Sequence, residues 1–149
     1  MKSIVRRRYG SSDVLELGEA DLPEATEDRA LVRVHASSVN AHDWHLMRGK
    51  PYLARMGGQG FLRPTSTVLG LDVAGVVEEV GPDVMDLKPG DEVFGVRSGA
   101  FAEYVSTKNV VRMPAGLSFE EAASLPVAGF TALQAVRDKA GVRPASGSS

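Results

Sequence analysis

With 149 residues, 43% of them hydrophobic and 24% charged, the chain has the size and composition of a single soluble globular domain. A formal charge of −2 gives it no broad attraction to nucleic acid or to an anionic membrane, which leaves small-molecule chemistry. The absence of cysteine removes disulfides, thiolate zinc clusters and a cysteine nucleophile together.

The first ten residues, MKSIVRRRYG, carry charge where a signal peptide needs an apolar run. No later stretch approaches the roughly 20 apolar residues of a membrane span, so the cytoplasm is the expected compartment. Arg6, Arg7 and Arg8 read as the solvated edge of a strand that resists aggregation, rather than as a phosphate site. Residues 30–39 alternate, with Ala30, Val32, Val34 and Ala36 on one face and Arg33, His35 and Ser37 on the other, the pattern of a half-buried strand.

A short helix is expected over 41–48 after Asn40. Between Gly49 and Thr67 runs a long loop with Gly57, Gly58 and Gly60, Pro51 and Pro64, and the cations Lys50, Arg55 and Arg63, either a lid over a cleft or a solvated excursion. Residues 68–80 form a β-branched run in which Gly70 and Gly75 mark a close backbone approach or a bend. Turns follow at Gly81-Pro82-Asp83 and at Lys88-Pro89-Gly90-Asp91, the second with Pro and Gly placed as in a type II turn. Strands are expected again at 92–97 and 101–106. Ser118 and Glu121 have capping-box spacing and open a helix near 119–124. Val127, Phe130, Leu133 and Val136 then mark an amphipathic helix to about Lys139, whose apolar stripe needs a partner surface. The last nine residues, GVRPASGSS, have nothing to bury and read as a disordered tail.

The block GLDVAGVVEEVG at 70–81, followed by KPGDEVFG at 88–95, resembles the signature of medium-chain dehydrogenases/reductases. Ser38-Val39-Asn40-Ala41-His42-Asp43, Arg48-Gly49, Gly99-Ala100-Phe101-Ala102-Glu103-Tyr104-Val105 and Leu125-Pro126-Val127-Ala128-Gly129-Phe130-Thr131-Ala132 join it in the family's order. The resemblance is to the zinc-independent, NADPH:quinone reductase-like branch and covers roughly residues 1–140. It implies a mainly β fold: a GroES-like partial barrel over 1–125 with a few short helices, an inter-domain helix over 126–140 leading toward a Rossmann domain absent from this sequence, and the tail at 141–149.

Zinc-dependent relatives place a cysteine at the position matching Asn40 and a His-Glu pair at those matching Leu71 and Asp72. A catalytic zinc needs about three such ligands. Asn40, Leu71 and Asp72 supply no convincing set, so no zinc is expected. The implied activity is hydride transfer from NADPH to a quinone, an enone or a related carbonyl compound, with the cofactor carrying the hard chemistry. The candidate catalytic residues are Asn40 and Asp43 together with His45, which is chosen for its imidazole chemistry, with Asn40 and Thr131 toward the cofactor and Tyr52 and Asp72 toward the substrate.

Each of these residues also has a plainer reading. Asn40 suits a helix N-cap and Asp43 the first turn behind it. His45 is either a proton donor or a surface histidine in a place where relatives often hold a tyrosine. Tyr52 offers a ring for stacking, or is simply a loop residue. Asp72 is either a buried hydrogen-bond anchor or a residue that faces the site. Thr131 either approaches the nicotinamide carboxamide or bonds back to its own helix.

No strand, glycine-rich turn and helix follow in the order that grips a dinucleotide, and Gly57-Gly58-Gln59-Gly60 lacks the helix and the acidic residue such a motif needs. The chain is therefore expected to hold the substrate half of a site, to have little activity alone, and to self-associate through an exposed junction surface. The rival reading is a non-catalytic GroES-like module that docks a partner; neither nucleic acid nor a membrane is an expected partner.

Overall fold

A computed structural model describes residues 1–52, 60 and 62–140. Two antiparallel sheets carry the fold. Lys2–Arg6 (β1) pairs with Leu15–Glu19 (β2), with Ser3 opposite Gly18. The larger sheet joins Ala30–Ala36 (β3), Asp72–Val80 (β4), Glu92–Val96 (β5), Tyr104–Thr107 (β6) and Val110–Arg112 (β7) in the order β6-β3-β4-β5-β7. The helices are Ala41–Arg48 (α1), Phe119–Ala123 (α2) and Pro126–Leu133 (α3), and α3 runs on as a π-helical stretch over Gln134–Lys139. Among the described residues no helix is long and apolar enough to cross a membrane.

The sheets close toward a barrel because β1 bonds on its second side as well. Ile4 N–H donates to the Phe101 carbonyl at 2.8 Å and Arg6 N–H to the Thr67 carbonyl at 2.7 Å, with bridges Ser3 to Ala102 and Val5 to Val68. An antiparallel strand satisfied on both sides is no longer an edge. This corrects the solvated-edge expectation at one residue: Arg7 and Arg8 are exposed, whereas Arg6 is 2% exposed.

The core follows from β-branched residues at strand spacing. Val32, Val73, Val77 and Val93 are essentially fully buried and pack with Ala30, Ala100, Val105 and Val110. Each such valine contributes on the order of 1.5–2 kcal/mol of apolar burial. On the opposite face Ala74 packs against Ala122 and Ala123 of α2, with Ala36, Phe94, Met113 and Phe119 around them. Small residues on both partners let α2 lie close to the sheet.

Ala36 therefore joins a different cluster from Ala30 and Val32, against the simple alternation expected for 30–39. The cause is a register irregularity between Val34 and Ala36: Val34 faces Gly75 while Ala36 faces Ala74, so an extra residue turns the strand end over. The sheet begins later than the sequence pattern at 68–80 suggests, because Gly70 has φ of +96° and breaks extended backbone before Asp72. Gly75 serves the close approach, since a Cβ there would lie 2.0 Å from the Arg33 carbonyl oxygen.

Gly90 has φ of +91°, as the Pro-Gly turn requires. The capping box at α2 forms in full, with Ser118 N–H on Glu121 Oε2 at 2.9 Å and Glu121 N–H on Ser118 Oγ at 3.2 Å. The expected tail at 141–149, most of the 57–60 glycine cluster and much of the 49–67 loop lie outside the described residues.

Candidate active site

α1 starts where it does because Asn40 is extended, with φ −111° and ψ 161°, and it ends at Gly49 in the left-handed region with φ 61°. Its one fully buried residue is Asp43, not an apolar side chain. The Asp43 carboxylate is 3% exposed and lies in the first turn, where the helix dipole favours an anion. Oδ2 accepts the Asn40 N–H at 2.8 Å, and Oδ1 accepts the Gly70 N–H at 3.1 Å. One carboxylate thus caps α1 and pins it to the approach of β4.

Asp72, the first residue of β4, shares the face of Ala74 and so points toward the helices rather than the barrel core. It has no exposed surface. Three donors converge on its carboxylate: Ser38 Oγ–H at 2.5 Å and Asn40 Nδ2–H at 2.9 Å on Oδ2, and Val127 N–H at 3.0 Å on Oδ1. Its backbone carbonyl accepts Ser37 Oγ–H at 2.6 Å. Val127 belongs to the first turn of α3, so the negative charge also sits at that helix's positive end. A buried carboxylate satisfied in this way costs little, while an unsatisfied one costs several kcal/mol.

The structure therefore brings Asn40, Asp43 and Asp72 into one hydrogen-bonded node that ties the β3–α1 connection, the start of β4 and the start of α3. Asn40 lies at its centre, giving its backbone N–H to one aspartate and its side-chain N–H to the other. Asp72 is the buried anchor of the node. The sequence reading named no role for Ser37, Ser38 or the Val127 N–H; the signal available was a pair of short hydroxyls just before a helix cap.

The other expected residues stand outside the node. His45 is exposed, its Nδ1 donates to the Lys50 carbonyl at 3.1 Å, and its ring meets the Trp44 ring edge-on at 4.9 Å between centroids. Tyr52 is 63% exposed with the Lys50 ammonium 5.9 Å from its ring centroid. Thr131 is exposed on α3 and its Oγ1–H bonds back to the Val127 carbonyl at 2.7 Å, leaving its oxygen lone pairs open.

At the far end of α1 lies Arg6. Its guanidinium donates from Nη1 to the Leu46 carbonyl in the helix's last turn and lies 5.2 Å from the Tyr9 ring centroid, while Nε has no hydrogen-bond partner among the described residues. Burial, only partly opposed by Tyr9, holds its pKa below the usual arginine value. A cation at a helix C-terminus complements the dipole. Tyr9 in turn donates to the Gly60 carbonyl at 2.7 Å, and Gly10 N–H to the Met47 carbonyl at 3.2 Å.

Among the described residues no three His, Asp or Glu side chains converge to hold a metal ion. Beside α3, a groove of about 420 Å³ is lined by Phe94, Val96, Val110, Val111, Pro126 and Phe130. Phe130, Leu133 and Val136 on the helix itself are 61%, 48% and 52% exposed, so the expected stripe exists and is largely uncovered.

A half-closed antiparallel barrel with short helices and a polar node at the β3–α1 connection defines the domain class. Residues 26–115 match the alcohol dehydrogenase GroES-like domain, and the chain belongs to that family. The 2-methylene-furan-3-one reductase of Solanum lycopersicum is 39% identical over 154 residues, covering 95% of this chain and 38% of that protein. The chloroplastic NADPH-dependent alkenal/one oxidoreductase of Arabidopsis thaliana is 39% identical over 145 residues, covering 89% of this chain and 36% of that protein. The solved quinone oxidoreductase of Coxiella burnetii superposes with a TM-score of 0.84 at 35% identity, over 97% of this chain and 46% of that one. The chain thus spans less than half the length of these relatives.

Proposed function

We propose that this chain forms the substrate-facing domain of a zinc-independent, NAD(P)H-dependent oxidoreductase that reduces quinones, enones or related carbonyl compounds by hydride transfer. Residues 1–125 make the GroES-like domain, and 126–140 make the helix that joins it to a nucleotide-binding module. The single observation that carries the reading is the 2.9 Å hydrogen bond from Asn40 Nδ2 to Asp72 Oδ2. Zinc-dependent members keep a cysteine at the position of Asn40 and a His-Glu pair at those of Leu71 and Asp72; here Leu71 offers no ligand, and Asn40 and Asp72 satisfy each other. With a neutral amide in one place and a saturated carboxylate in the other, the donor set does not suit zinc.

The residues present fit only the nicotinamide end of the cofactor. The Asn40 amide and Thr131 Oγ1 offer polar groups to a carboxamide, while the described residues contain no glycine-rich turn leading into a helix that would grip its phosphates. NADPH, when bound, supplies the hydride. The protein's own part is to place Asn40 through Asp43 and Asp72, to offer the Tyr52 ring to a planar substrate, and to supply a proton from His45 when its ring is doubly protonated, Nε2–H being the donor while Nδ1–H stays on the Lys50 carbonyl. On this reading the 149 residues alone turn over little substrate, act in the cytoplasm, and self-associate through the uncovered α3 face.

The test is a fusion of this chain to the nucleotide-binding module of a zinc-independent quinone reductase. NADPH oxidation that depends on added quinone or enone and is undiminished by a chelator is expected. Alcohol oxidation that needs zinc, or submicromolar NADPH binding by the 149 residues alone, overturns the proposal.

A further inference from the structure

Asn40 is flanked by acceptors on its nitrogen side. Asp72 Oδ2 lies 2.9 Å from Nδ2, and Ser38 Oγ lies 3.3 Å from it. Ser38 spends its one hydroxyl proton on Asp72 at 2.5 Å, so its oxygen can only accept from Asn40. Turning the amide over would set its carbonyl oxygen against a carboxylate and against a lone pair, with no proton between. The orientation is fixed by the neighbours: Nδ2 faces the protein, and Oδ1 stands in the capping box of α1 against the Asp43 N–H, which also donates to the Asn40 backbone carbonyl at 3.0 Å, so that one of the two Oδ1 lone pairs is left to accept from a ligand.

We propose that Asp72, assisted by Ser38, is the positioning residue that makes Asn40 a hydrogen-bond acceptor toward its ligand and not a donor. This rests on the reading of Asn40 as a site residue and goes beyond it in chemistry. An acceptor selects a group that carries N–H or O–H, such as a primary carboxamide or a hydroxyl, and it opposes an oxyanion. Charge that develops on a substrate carbonyl must then be met by another donor. The same carboxylate serves α3 through its other oxygen, so the amide's orientation and the seating of α3 are set by one side chain.

The two oxygens allow the roles to be separated by NMR on the complete chain. In the unaltered protein a through-hydrogen-bond coupling between Asn40 Nδ2 and the Asp72 carboxyl carbon is expected, with one side-chain amide proton slow to exchange. Ser38→Ala touches only the Oδ2 side and is expected to move the Asn40 side-chain signals while the Val127 amide stays put. Asp72→Asn is expected to speed exchange at both Asn40 Nδ2 and Val127 N–H by about tenfold or more, with the Val32, Val73 and Val93 amides unchanged.

Benzamide and methyl benzoate then test the ligand class, one with N–H donors and one without. Benzamide is expected to shift the Asn40 signals at about tenfold lower concentration. Freely exchanging Asn40 protons with no coupling, uniform loss of protection across the sheet in Asp72→Asn, or no preference for benzamide each overturn the proposal. An inactive fusion protein with the coupling intact sinks the reading of function and leaves this orientation standing.

Discussion

α1 and α3 are helices of the same length held by opposite means. α1 buries no apolar side chain completely; Asp43 fixes its first turn and Arg6 its last, each with the sign that the helix dipole favours. α3 is strongly apolar, yet it buries only Pro126 and leaves Phe130, Leu133 and Val136 largely exposed, with Asp72 gripping its N-terminal end. Directional contacts at both ends leave a helix few ways to sit, and α1 carries Asp43 of the candidate site directly behind Asn40. An apolar face is non-directional and becomes ordered only when another surface covers it. The difference separates a helix held by directional contacts at both ends from one held at its start, with its apolar face exposed.

The sharpest way to break this contrast is Asp43→Ala. It strands the Asn40 and Gly70 N–H groups in a buried place and is expected to cost about 2–3 kcal/mol in chemical denaturation. Loss below about 0.5 kcal/mol would show that α1 is held by something else. Arg6→Met should do less: removing a buried cation without a carboxylate partner relieves its desolvation, so the global loss is expected to stay near 1 kcal/mol, while amide exchange over residues 45–48 rises. Uniform acceleration across the strands would assign Arg6 to the barrel instead.

Phe130→Ser inverts the test. The side chain is mostly in water, so stability should change by no more than about 0.5 kcal/mol, whereas concentration-dependent sedimentation should weaken. A large stability loss with unchanged sedimentation would mean that α3 is packed within its own chain. The smallest effect is expected at an exposed pair that calibrates the buried ones. Lys108 Nζ donates to Asp28 Oδ2 at 2.8 Å, and that hydrogen bond, opposed by slight desolvation, holds the Asp28 carboxyl below its usual value. A depressed carboxyl stabilises the fold above its unfolded pKa, near ~3.9, and the gain is lost as pH falls through the lower folded value. Asp28→Asn should flatten the acid limb of a pH–stability curve slightly, and salt should erase the difference.

Much of this was legible because it is local. The alternation from Val32 to Val34, the Pro-Gly turn at 89–90, the Ser118 and Glu121 box and the Asn40 cap each depend on residues within a few positions of one another. Arg6 was misread for the complementary reason: a run of three arginines looks solvated until β1 is seen to bond Phe101 and Thr67 on its far side. The end of β3 escaped because an extra residue is invisible in a pattern of period two. At the candidate site, Asn40, Asp43 and Asp72 were all singled out, but the choice between anchor and site for Asp72 depends on Ser38 and Val127, which lie 34 and 55 residues away. Thr131 is read from the resemblance and His45 and Tyr52 from their side-chain chemistry, and none of them joins the node.

Trp44 is the chain's single tryptophan, and it stands on α1, 45% exposed, with the Arg48 guanidinium 4.8 Å from its ring centroid. Intrinsic emission is therefore a private signal of that helix. A fluorescence melt will follow the release of α1 from its two ends, while circular dichroism follows the strands, and any gap between the two midpoints measures how independently the site-bearing element can let go.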